Sequence, residues 1–90
     1  MEELKGAANA LFSKGEYDSA LDMYTKGIGL YPDAHVLYSN RALVFLRRGK
    51  EGDAAKALSD AEEAVRLAPS WPRGYLRACS AAEAMEDWGL

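Results

Sequence analysis

Thiols, imidazoles and long apolar runs are nearly missing from this 90-residue chain, which carries one cysteine, Cys79, and one histidine, His35. A lone thiol cannot form an intrachain disulfide, and no second cysteine is available for a Cys-based zinc site. A reducing compartment follows, and a cytoplasmic protein is the expectation. No stretch approaches the roughly eighteen apolar residues of a membrane span, so no membrane association is expected. The first residues, Met1-Glu2-Glu3-Leu4-Lys5, lack the basic start and apolar core of a secretory signal. Positive charge is not in excess either. Eleven Lys and Arg against fourteen Asp and Glu give a formal net charge of -3, which argues against a nucleic-acid binder held by counterion release. No nucleophile–base set, metal cluster or phosphate loop is visible, so neither enzyme activity nor a cofactor is expected. Any basic site has to come from local arrangement.

What the chain does have is a repeat. A shift of thirty-four residues pairs Leu4 with Tyr38, Ala8 with Ala42, Leu11 with Phe45 and Gly15 with Gly49. After three extra residues in the second turn the register becomes thirty-seven, pairing Ala20 with Ala57, Gly27 with Ala64, Leu30 with Leu67 and Pro32 with Pro69. Another thirty-seven carries Tyr38 to Tyr75 and Ala42 to Cys79, so the period survives into a third unit.

Apolar residues recur at helical spacing and never alternate over a strand length, so each unit reads as two helices. Leu4, Ala7, Ala8 and Leu11 mark the first, ended by Gly15. The second runs from about Tyr17 to Leu30, where Pro32 stops it. Asp33 is the expected N-cap of a third helix reaching about Arg48 before Gly49. Asp53 is the expected cap of a fourth, from about Ala54 to Leu67. Pro69 breaks that helix, Ser70 is the expected cap of the last, and Pro72 is tolerated in its first turn. The last helix should end near Met85. Leu11, Tyr24, Phe45 and Tyr75 are expected to fill the space between helices that small residues let approach closely.

Ala8, Gly15, Tyr17, Ala20, Tyr24, Gly27 and Pro32 stand at positions that resemble the signature of a tetratricopeptide repeat (TPR). The resemblance covers essentially all 90 residues. It implies an all-α solenoid of helix hairpins, with two repeats plus the first helix of a third, about five helices in all. Residues 1–90 then form one domain: repeat one at 1–34, repeat two at 35–71 with the three-residue turn insertion, and a truncated third repeat at 72–90. By repeat arithmetic Glu86, Asp87 and Trp88 fall at a turn and the first aromatic of a sixth helix. The expectation is a piece of a longer protein whose last helix, with Ala78, Cys79 and Ala82, leaves apolar surface for self-association or another partner.

In such an array the first helix of each pair lines a groove, and helix geometry selects the residues. Leu4, Ala7, Ala8 and Leu11 share one arc at about 100° per residue, so Lys5 and Asn9 lie roughly opposite. The groove side of the second unit carries Asn40, Leu43 and Arg47, with Leu46 near its edge. The third carries Arg73, Arg77 and Ser80, flanked by Glu83. Amides that donate without adding charge, beside Lys and Arg, suit a carboxylate. A C-terminal aspartate presents two.

These segments, Leu4-Lys5 with Asn9, Leu37-Tyr38-Ser39-Asn40-Arg41 and Arg73-Gly74-Tyr75-Leu76-Arg77, resemble the dicarboxylate-clamp TPR domains of heat-shock co-chaperones. That family holds the Glu-Glu-Val-Asp tail of the seventy- or ninety-kilodalton heat-shock chaperones. The resemblance implies that Lys5, Asn9 and Asn40 take the terminal main-chain carboxylate, Arg73 the aspartate side chain, and Arg77 the tail just upstream. Phe12, Leu43 and Leu46 would give a peptide side chain an apolar rest, with Arg47 among the binding residues. Two departures are Arg73, where lysine is usual, and Ala8, where glycine often stands. The insertion at Lys50 to Gly52 lies in a turn away from the groove. Outside the groove the expectations are structural: Cys79 a buried inert thiol, His35 a surface residue, Glu2-Glu3 and Glu62-Glu63 solvated faces, Trp71 and Trp88 packing residues at helix starts.

Overall fold

The periodic segments fold as five helices: α1 (Glu2–Ser13), α2 (Tyr17–Leu30), α3 (His35–Arg48), α4 (Asp53–Leu67) and α5 (Pro72–Gly89). They are seen in a computed structural model that describes the backbone of residues 1–89 and the side chains of residues 1–86. No strand occurs among the described residues. Each helix packs on the next, and α5 also reaches back to α3, so α3 lies between α2, α4 and α5.

Small side chains set the spacing between helices. Ala8 and Ala20 are fully buried where α1 meets α2, beside Leu21, Tyr24, Leu37 and Val44. A second buried cluster joins α3, α4 and α5 through Ala42, Ala57 and Ala81. Gly27 is the tightest point: a Cβ there would fall 2.8 Å from Leu4 Cδ2 and 3.2 Å from Leu37 Cδ1. The absent Cβ leaves room for Leu4 of α1 and Leu37 of α3 to close on α2 together, and an alanine there would require the Leu4 tip to shift. Gly74 plays the same part on α5, where a Cβ would sit 3.1 Å from Val65 Cγ2 of α4.

The expected bounds of α2 hold to the residue, and α3 ends at a left-handed Gly49 whose N–H donates to the Phe45 carbonyl. The capping expectations fail. Ala34 occupies the N-cap of α3 and no side chain caps it. The Tyr38 hydroxyl instead donates to the Pro32 carbonyl at 2.9 Å, tying the turn to the helix. Tyr75 makes the same bond to Pro69 at 2.9 Å, thirty-seven residues later. Gly52, not Asp53, holds the N-cap of α4, because the Asp53 carboxylate is drawn to Arg48. Ser70 makes no side-chain hydrogen bond among the described residues, and Trp71 instead meets the half-buried His35 ring edge-on at 4.7 Å.

Three further expectations are corrected on α5. The helix runs on to Gly89 instead of stopping near Met85, so the turn expected over Glu86 to Trp88 is helical. The run from Ala81 to Glu86 is made of good helix formers and contains no breaker. The packing role expected of Trp88 lies outside the described residues. Cys79 is exposed, not buried. Tyr75 is 48% exposed and Leu76 59%. The buried small residues of α5 are Gly74 and Ala81, which face α4 and α3. Tyr75, Cys79 and Ala82 correspond to Tyr38, Ala42 and Phe45 of α3, a face that α4 covers there and that no helix covers here among the described residues.

Candidate binding groove

Residues four apart on a helix share a face, and three such pairs meet on one side of the array: Lys5 and Asn9 on α1, Val36 and Asn40 on α3, Arg73 and Arg77 on α5. They line an open cavity of about 580 Å³ together with Glu2, Gly6 and Leu43. The five donors singled out from the sequence therefore stand around one space. A second cleft of about 320 Å³ adjoins it, lined by Leu43, Leu46, Arg47, Arg77, Ser80 and Ala84. Leu43 and Arg77 belong to both. Phe12 lines neither, since its ring packs against Tyr17 with centroids 5.6 Å apart. Val36 and Ala84 were not anticipated, although each is one helical turn from a groove residue that was, Asn40 and Ser80.

The electrostatics of the groove differ from those of the rest of the molecule. Of the six arginines, Arg41, Arg48 and Arg66 each hold a carboxylate. Arg41 grips Asp60 with two bonds of 2.7 Å, and Arg48 grips Asp53 at 2.8 and 2.7 Å while also reaching Asp18 at 2.8 Å. Arg47, Arg73 and Arg77, all in the groove, form no salt bridge among the described residues. The only acid lining either groove cavity among the described residues is Glu2, which is 83% exposed and pairs with Lys5 at 3.0 Å. Such a surface pair contributes at most about 1 kcal/mol and exchanges readily for a better acceptor.

Arg77 is the most demanding member. Its Nε is buried with no hydrogen-bond partner among the described residues. Burial pushes its guanidinium below the ordinary arginine value, and the neighbouring charges of Arg73 and Arg47 push it the same way. An arginine stays protonated regardless, so the site holds concentrated positive charge. Near it, the buried Tyr24 phenol is raised by its burial and drawn back by the neighbouring Asn40 amide.

Sequence reasoning missed the ion pairs behind the groove. Arg41 and Asp60 are nineteen residues apart, and Arg48 and Asp18 thirty. Arg48 and Asp53 bridge the inserted turn, where the Lys50 N–H also donates to Asp53 Oδ2 at 3.0 Å. Arg41, Arg48 and Lys56 further surround the Phe45 ring at 5.7 to 6.0 Å. No local spacing marks such partners. Among the described residues no group of three His, Cys, Asp or Glu could hold a metal ion, and no helix is long and apolar enough to cross a membrane.

No protein-family model matches the chain. It is 42% identical over 86 residues to the heat shock protein sti1 homolog of Schizosaccharomyces pombe, a match spanning 96% of this chain but 14% of that protein. The chain thus corresponds to about one seventh of that relative's length. Among solved structures, the first TPR of Spaghetti (RPAP3), bound to the HSP90 peptide SRMEEVD, superposes with a TM-score of 0.84 at 38% identity, over 93% of this chain and 66% of that one. The Sgt2 TPR domain of Aspergillus fumigatus gives a TM-score of 0.87 at 31% identity, over 98% and 56%. The chain is a TPR helix-hairpin solenoid that resembles the TPR domains of heat-shock co-chaperones.

Proposed function

We propose that the groove is a carboxylate clamp for the acidic C-terminal tail of a heat-shock chaperone, of the Glu-Glu-Val-Asp type, and that the domain serves as a cytoplasmic co-chaperone or adaptor module. The observation that carries this reading is the segregation of charge: the arginines that hold no carboxylate among the described residues, Arg47, Arg73 and Arg77, line the two adjoining cavities, and Arg73 and Arg77 share the first with Lys5, Asn9 and Asn40. An arriving carboxylate supplies the acceptor that Arg77 Nε lacks among the described residues. Lys5, Asn9 and Asn40 hold the terminal main-chain carboxylate, Arg73 the aspartate side chain, and Arg77 the adjoining stretch. Leu43 and Leu46 offer an apolar rest, and Phe12 stays a framework residue unless its ring turns from Tyr17. The relative bound to an HSP90 peptide supports the ligand class.

Titration of a fluorescent peptide ending in Met-Glu-Glu-Val-Asp tests it. Micromolar affinity, about -8 kcal/mol, is expected at low salt, because ordering an extended peptide offsets much of the gross interaction. Raising the ionic strength should weaken it clearly. An amidated twin that binds as tightly as the free acid would sink the proposal.

A second reading concerns α5, where Tyr75, Leu76, Cys79 and Ala82 form an exposed stripe away from α4. Such a face promotes self-association through apolar burial. Sedimentation of the 90-residue chain should show concentration-dependent dimers that persist in high salt; a strict monomer at high concentration removes this reading.

A further inference from the structure

Of the three cations lining the first cavity, only Lys5 already holds a carboxylate. It pairs with Glu2 at 3.0 Å, while Arg73 and Arg77 form no salt bridge among the described residues. The two partners of that pair are held very differently. The Lys5 side chain is 25% exposed and the Glu2 side chain 83%. Lys5 is therefore packed against the array, and the pair opens by a swing of Glu2 into solvent that leaves the ammonium in place. Glu2 is the first residue of α1. After the swing its carboxylate stays close to the unpaired N–H groups of the first turn, where negative charge is favourable, so release costs little.

We propose that Glu2 is an autoinhibitory placeholder, its carboxylate standing on Lys5 where the ligand's carboxylate binds and leaving when the ligand docks. The inference rests on the carboxylate-clamp reading and adds the control of that same site. An ammonium has three donors, but two carboxylates brought onto it within a few Å repel each other, so the one that is free to leave does so. Glu2 thereby acts in the empty groove as a built-in competitor. Every ligand that uses Lys5 has to displace it and binds a few-fold more weakly than it would to an unoccupied ammonium, which is the scale of an exposed pair. A ligand held by Arg73 and Arg77 alone escapes that penalty. Glu3, the neighbouring acid, lines neither cavity and cannot play this part.

The test is a calorimetric titration of the heptapeptide Ser-Arg-Met-Glu-Glu-Val-Asp, and of its C-terminally amidated twin, into the unaltered chain, Glu2→Gln and Glu3→Gln. Both residues are exposed in the first turn of α1, and each variant removes one negative charge while keeping the other acid there. The two variants thus weaken any diffuse repulsion of the acidic peptide alike, and only Glu2→Gln frees Lys5. Glu2→Gln should bind the free acid about threefold more tightly than the unaltered chain, and Glu3→Gln should match the unaltered chain within roughly 1.5-fold. Amidation should abolish binding throughout. If Glu2→Gln binds no more tightly, or gains no more than Glu3→Gln, while amidation still abolishes binding, the placeholder is wrong and the clamp stands. If amidation changes nothing, or the free acid does not bind at all, both are wrong.

Discussion

Arg77→Ala should lower the affinity for a peptide with a free C-terminal aspartate by about 100-fold, within the roughly 2–5 kcal/mol typical of truncating one partner of a buried, hydrogen-bonded charge pair. The size of the effect follows from the position of Arg77, which lines both cavities with a buried Nε that lacks an acceptor among the described residues. The unliganded variant should be at least as thermostable as the original. It loses a desolvated cation held near Arg73 and Arg47 and no salt bridge among the described residues. Calorimetric titration with a melting curve on the same sample separates the effects: weak binding by a protein that melts early would show a merely structural role. Arg77→Lys should recover only part of the affinity, since an ammonium restores the charge without the planar fork.

The largest effect on stability is expected at Asp53, which is 1% exposed on the first turn of α4. Asp53→Ala should cost about 3 kcal/mol, because breaking a buried pair by removing one partner leaves the other charge poorly compensated. Arg48 keeps Asp18, which moderates the loss. Against a typical total of about 5–15 kcal/mol the loss is large, and urea unfolding at neutral pH reads it directly. The pH dependence has a definite sign. The Arg48 guanidinium holds both the Asp53 and the Asp18 carboxyls below the ordinary aspartate value of 3.8. A depressed folded-state value means that the contribution is fully present above the unfolded value and is lost as pH falls through the folded one. The unaltered chain should therefore lose stability on acidification below about pH 4, and Asp53→Asn should flatten that slope. Equal slopes in the two proteins would show that the pair carries little of the acid sensitivity.

Most of the fold was legible because helical periodicity is a local property. Leu4, Ala8 and Leu11 mark the buried face of α1 without knowledge of its partner, and the same geometry sends Lys5 and Asn9 to the other side. The groove was legible for the same reason: its members recur at one-turn intervals on α1, α3 and α5. The failures share a different cause. Asp33 and Ser70 are competent caps, but Tyr38 and Tyr75 had already fastened those turns through the proline carbonyls. Asp53 was read as a cap because its partner Arg48 lies across a turn whose shape the sequence does not reveal. Cys79 holds a position that is buried in α3, and it is exposed because burial depends on which helix follows, not on the residue itself.

The bond from tyrosine to the proline carbonyl six residues before it has a consequence for how such a chain can grow. Donor and acceptor travel in the same short stretch of sequence, so duplicating that stretch duplicates the joint and the angle it sets. The bond from Arg48 to Asp18 lacks this property, because Asp18 is thirty residues away in the first repeat and a copied second repeat would keep Asp53 and Asp60 but arrive without it. Extension by repetition therefore preserves the path of the backbone automatically, while ion pairs that reach back into an earlier unit are left free to diverge.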